Sequence, residues 1–262
     1  MLETTRYEGR RRVRGTLALA LLLGAFAALV ISIYPSIAES SVEIEALIES
    51  LPEAFRAGFG VESYTTIEGF LSGEFYQFVW VLLFGLYATY TAAGAVAPDV
   101  ESGRIYLVLA TPVSRVRVAA EKYLALFVPV VALNLLVPLF VFGTTIAVGY
   151  PVDFPDLVAV HLMSVPYLLT CGSIGMVLSV VLSRGDAAQR GGIAVVFLLF
   201  VLDSVTTGTD FEWLGTLSPT RYYDPTEILV DGKLDLKGAL VLLGGTVCLL
   251  LVSLAVFERR DV

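Results

Sequence analysis

The most informative run of chemically capable side chains in this 262-residue sequence is DVESGRIYLVLATPVSRVRVAAEK at 99–122. There Glu101, Gly103, Arg104, Thr111, Pro112, Arg115, Glu121 and Lys122 interleave charges and turn formers around an apolar run at 105–110. Ser102-Gly103 permits a tight turn, the run is long enough for a short helix, and Thr111-Pro112 ends it because proline cannot continue the hydrogen-bond ladder. A short apolar helix rimmed by charge suits docking into a partner's groove, through apolar anchors and peripheral ion pairs. It is not equipped to make or break bonds.

A second set lies inside apolar sequence. Tyr87, Tyr90, Thr91 and Gly94 fall at i, i+3, i+4 and i+7, a polar and small-residue stripe down one helix face. In a membrane helix such a stripe packs on a neighbour or lines a passage, so Tyr87, Tyr90 and Thr91 are candidate pathway contacts, with Asn134 from the next apolar segment. Asn134 sits between Pro129 and Pro138, whose rings free backbone carbonyls and predict a kinked helix; Pro166 can bend the following segment in the same way. Gly172, Ser173 and Gly175 offer a close-packing surface. His161, the single histidine, falls near the end of its segment and reads as an interfacial hydrogen-bonding group. Cys171 and Cys248 lie in apolar runs, so neither a disulfide, a metal site nor a catalytic centre is expected.

The elements that must position these residues are lipid-soluble. Hydrophobic residues make up 56% of the chain and charged residues 16%, and the mean hydropathy is +0.80, too apolar for a domain dissolved in water. Apolar runs at about 15–38, 75–98, 123–149, 157–182 and 238–257 each supply the roughly 20 residues that cross a bilayer. A sixth, at about 187–207, has only twelve uncharged residues between Arg190 and Asp203. It spans if Arg190 snorkels to one interface and Asp203 sits at the other; the rival is a re-entrant segment. The expectation is one all-α integral membrane domain over 1–262 with about six transmembrane helices.

Charge orients it. With six spans, thirteen of the seventeen Lys and Arg fall on the side of the N-terminus, as the positive-inside rule asks of the cytoplasm. Both termini are then cytoplasmic, the loop at 99–122 is cytoplasmic, and the opposite side is strongly acidic. The segment at 2–14 (LETTRYEGRRRVR) forms a basic stretch before the first span, able to meet anionic headgroups. That first apolar run is longer than a signal-peptide core, so an uncleaved span is the better reading. On the outer side Ile44, Leu47, Ile48, Leu51 and Phe55 repeat with helical spacing, which predicts an amphipathic helix over 43–55. The acidic balance is unsuited to nucleic acid.

The segment ESGRIYLVLATPVSRVRVAAEKYLA resembles the first cytoplasmic loop of ABC-2 type permeases, in Glu101, Gly103, Arg104, Thr111, Pro112, Arg115, Glu121 and Lys122. LSPTRYYDPTEILVDG at 217–232 and the ending FERRDV at 257–262 look like the same family, and the three stretches follow its span order. The resemblance implies a plasma-membrane permease subunit that pairs with a second copy or homologue and couples through 99–122 to a separate ATPase subunit. Export is the implied direction and the cargo is open. ATP would be bound by the partner: the sequence lacks a G-x-x-x-x-G-K-[ST] loop, its one Gly-Lys pair being Gly232-Lys233. Two other functions compete. An ion-coupled secondary transporter would place ionisable residues at mid-membrane, and the five longer runs have none. A non-transporting assembly subunit would carry the same loop, and cargo flux distinguishes it.

Overall fold

The computed structural model describes residues 3–40, 50–51 and 65–260. The amphipathic segment expected at 43–55 lies outside these apart from Ser50 and Leu51. Among the described residues there are helices and turns and no strand, and six helical stretches are long and apolar enough to cross a membrane. The fifth of these, Gly185–Thr206, has 22 residues and so rises about 33 Å, a full bilayer thickness.

The first span is α1 (Glu3–Ala38), so the basic segment forms its opening turns rather than a separate arm. The second starts with α2 (Ile67–Leu71), capped by Thr66 Oγ1, which accepts from Gly69 N at 3.2 Å. It continues as a 13-residue π-helix, Ser72–Phe84, then α3 (Gly85–Ala93). Ser179 Oγ accepts from Val96 N and Ala97 N at 2.8 and 3.1 Å, satisfying the chain where it breaks before α4 (Ala97–Glu101). Gly103, at φ +72°, makes the turn into α5 (Arg104–Leu109), a conformation that glycine adopts without strain. Ser114 then caps α6 (Arg115–Leu124).

The third span is α6 followed by α7 (Phe127–Ala147). The helix is interrupted at Ala125-Leu126, with Ala125 four residues ahead of Pro129, where the proline ring excludes a helical carbonyl. Pro138 lies within continuous helix, so Pro129 causes the break. The remaining spans are α8 (Phe154–Val181), α9 (Gly185–Thr206) and α11 (Leu236–Arg259), with the short α10 (Pro225–Leu229) between the last two.

α8 is the central helix, packed against α3, α7, α9 and α11, while α1 packs on α7. Its most apolar window is 72% buried, against 22% for those of α9 and α11, so the last two spans are the ones least enclosed by the rest of the bundle. Gly175 sets the α8–α3 approach: a Cβ there would stand 2.2 Å from the Thr89 carbonyl oxygen. Small residues let membrane helices close to backbone contact, and Thr89 Oγ1 uses that closeness to donate to the Cys171 carbonyl at 2.9 Å.

The bundle has two ends. At one, the loop end, α6 lies with the start of α1 and the end of α11: Thr5 Oγ1 donates to the Glu121 carbonyl at 2.9 Å and Arg115 to the Arg260 carbonyl. At the other, the far end, the segment between α9 and α11 folds over the helices. Tyr223 OH donates to the Val160 carbonyl at 3.0 Å and its ring stacks on Tyr167.

Candidate functional site

At the loop end the charged side chains form a connected set. Lys122, buried at the end of α6, places Nζ 2.6 Å from Asp99 Oδ2 and 3.6 Å from Glu8 Oε1 of α1. Arg104, at the first position of α5, reaches Asp99 Oδ1 at 2.9 Å. Asp99 thus ties α5 to the third span, and Lys122 ties both to the first. Glu121, also buried, accepts from Arg117 Nε at 2.7 Å, and Glu101 Oε2 accepts from Gly185 N at 2.8 Å, anchoring α4 to the start of α9. Glu101 and Arg104 are exposed even so, and two side chains of α5 join them at the surface. Ile105 is buried, whereas Tyr106 and Leu107 are 57% and 75% exposed. Thr111 Oγ1 donates to the Val108 carbonyl at 2.6 Å, closing α5, and Pro112 beside it is exposed.

Beside these ion pairs a cavity of about 490 Å³ opens between α1, α3 and the start of α9. Tyr87, Tyr90, Thr91 and Gly94 line one wall, as their helical spacing predicts for a single face; Arg104 and Lys122 line another, and Gln189 closes it. The loop and the stripe in the second span therefore meet at one place. Asn134 does not join them. In the far half of the bundle, Asn134 Oδ1 accepts from Ser164 Oγ at 2.8 Å and lies 3.2 Å from His161 Nδ1. Because that amide oxygen can only accept, the proton is assigned to Nδ1, and Nε2 accepts from Tyr76 OH at 3.1 Å. Trp80 Nε1 donates to Ser164 Oγ at 3.0 Å.

His161 makes the hydrogen bonds expected of it, but to partners within the protein: it is 3% exposed, with Tyr76 and Trp80 of the π-helix packed edge-on against its ring. The sequence reading missed Glu8, Asp99, Arg12 and Gln189 as cavity residues, and Tyr76, Trp80 and Ser164 as partners of His161. A signal existed for the first group: Glu8, Arg11 and Arg12 share an α-helical face at i, i+3 and i+4. The second group spans three helices and leaves no local pattern.

A polar cavity of about 370 Å³ opens at the far end, between Gln77 of the π-helix, Asp203 and the Thr220–Glu227 segment. Thr220 Oγ1 donates to Asp203 Oδ2 at 2.6 Å, which places the charge of the fifth span under the folded-over segment. Just past α11, the Arg260 guanidinium donates to the Val180 and Leu182 carbonyls at 2.5 and 3.2 Å, satisfying the last turn of α8.

Comparison with known proteins agrees with this architecture. The family model described as ABC-2 family transporter protein matches residues 7–262, all six spans included. A relative from Bacillus subtilis (strain 168), named as the uncharacterized protein YhcI, is 25% identical over 209 residues, covering 70% of this chain and 66% of that protein. The chain thus spans just under two thirds of that relative's length. With a family match running over nearly the whole of a six-span helical bundle, the chain belongs to the ABC-2 transporter family.

Proposed function

We propose that the chain is the membrane-spanning permease subunit of an ABC transporter, moving an unidentified cargo outward. A separate cytoplasmic ATPase subunit binds the ATP, and a second permease copy or homologue completes the pathway. The loop end faces the cytoplasm of a cell whose plasma membrane holds the protein, as its concentration of Arg and Lys asks. One observation carries the reading: α5 offers Tyr106 and Leu107 outward while Arg104 and the neighbouring Asp99 bind it to Lys122 and Glu8 at the cavity wall. A partner that grips those two side chains can move the cavity, because the ion pairs leave little slack between them.

The test is purification of the tagged protein from its native membrane in mild detergent, with ATPase activity and accompanying subunits measured. A Tyr106→Ala/Leu107→Ala variant is the comparison. An ATPase accompanies the wild type, and the variant retains it roughly tenfold less well, since apolar anchors carry most docking energy. If no ATPase accompanies the wild type under several gentle conditions, the reading fails and ion-coupled transport is tested in its place.

A further inference from the structure

The loop-end cavity carries more positive charge than its own carboxylates neutralise. Arg11, Arg12, Arg104 and Lys122 line it against Glu8 and Asp99. Both carboxylates are already engaged, Asp99 by Lys122 and Arg104, and Glu8 by Lys122. Among the described residues Arg11 and Arg12 form no ion pair. Arg12 is only partly exposed, so its charge is less well hydrated than that of an arginine in open solvent. Across the cavity stand neutral donors, the hydroxyls of Tyr87, Tyr90 and Thr91 and the amide of Gln189.

Two guanidinium groups in no direct ion pair, Arg12 having only the more distant charge of Glu8, and both faced by hydroxyls, match the acceptor oxygens of a phosphate group. We propose that this cavity is a phosphate site, filled by the headgroup of an anionic membrane lipid. Arg11 and Arg12 supply the charge, and Tyr90 and Thr91 supply neutral hydrogen bonds. A lipid is favoured over a partner protein's carboxylate because membrane-length helices, the first, second and fifth spans, supply most of the cavity wall. Leu83, one turn before Tyr87 in the second span, is 46% exposed and offers apolar surface on the same span for an acyl chain. The volume suits a headgroup, and the site lies where a basic pocket between membrane helices meets the leaflet boundary. The inference holds whether or not the same cavity also passes cargo.

The full-length protein, reconstituted in phosphatidylcholine nanodiscs containing a minor fraction of labelled phosphatidylglycerol, gives the measurement: label bound above the bulk-lipid level. Arg11→Gln/Arg12→Gln is compared with Arg6→Gln/Arg10→Gln, which removes the same charge from the same helix outside the cavity. The cavity variant binds on the order of twentyfold less, about fivefold per arginine, and the control stays within about twofold of wild type. Equal losses in both would mean a diffuse basic surface, and no loss in either would mean no site; each outcome overturns the proposal. Should the double variant not elute as a single species, Arg12→Gln alone, which alters this cavity and not the one lined by Arg6 and Arg10, still predicts the fivefold loss. Inorganic phosphate is the second arm. Failure of millimolar phosphate to displace the label supports the lipid, and displacement replaces the lipid with a soluble phosphate. Unchanged lipid binding with loss of an accompanying ATPase would assign the cavity to a protein partner and overturn the proposal.

Discussion

Two polar clusters lie in different halves of the bundle, both built partly from the second span, and they are used in opposite ways. In the far half Tyr76, Trp80, Asn134, His161 and Ser164 bond to one another, with Tyr76, Trp80, His161 and Ser164 buried. At the loop end Tyr87, Tyr90 and Thr91 face a cavity of about 490 Å³ beside unpaired arginines. Both sets place hydroxyl-bearing side chains within apolar helices. Whether such a group glues helices or meets a ligand depends on whether its hydrogen bonds are already made by protein. In the far half they are, and the cluster locks three helices together. At the loop end Tyr90 is left 45% exposed.

That contrast is best broken at Trp80, where the largest effect is expected. Trp80→Ala removes a fully buried ring and its bond to Ser164, at a cost of about 4 kcal/mol. Thermal unfolding in detergent should show it as a large drop in midpoint; a loss below about 1 kcal/mol would mean the far half is not a packed, satisfied core.

Lys122→Met comes next. It removes the cation between Asp99 and Glu8, and the cost is about 2 kcal/mol, below that of a fully buried pair because Arg104 still neutralises Asp99. The same variant should weaken coupling between ATPase activity and transport, which a stability loss elsewhere in the bundle would not do.

Tyr90→Ala should change stability least, by less than about 0.5 kcal/mol, while lowering cargo flux or lipid binding. The reverse pattern, intact flux with a less stable protein, would move Tyr90 into the packing class and remove the distinction between the two clusters.

The helical framework was legible because lipid demands it. Apolar runs of span length have one backbone solution in a bilayer, and Ser102-Gly103 and Thr111-Pro112 punctuate the loop with local signals that need no tertiary context. The stripe at Tyr87, Tyr90, Thr91 and Gly94 was legible for the same reason, since periodicity alone puts it on one face. Asn134 and His161 were not. Both are isolated polar letters, and their partners come from other helices, 27 residues apart for their mutual contact and 85 for His161 with Tyr76. Glu121 and Lys122 read as exposed docking charges, yet both turn inward, because the acids that neutralise Lys122 arrive from α1 and α4. The π-helix from Ser72 to Phe84 also had no local signature. Its widened turns carry Tyr76 and Trp80 to His161 and Ser164, contacts that exist only once α8 is in place.

By itself, then, the sequence determined five of the membrane-length helices, the short helix between the second and third, and the face that carries the tyrosine stripe, while the full span at Gly185–Thr206 was settled by the structure. These follow from hydrogen-bond satisfaction in lipid and from the helical repeat, both properties of a single segment. Tertiary structure alone decided which polar groups are sealed and which stay open: His161 and Asn134 in a bonded network, Arg11 and Arg12 at an open cavity and in no direct ion pair. Sealing requires a partner from another helix at hydrogen-bond distance, and only the packed bundle sets that distance.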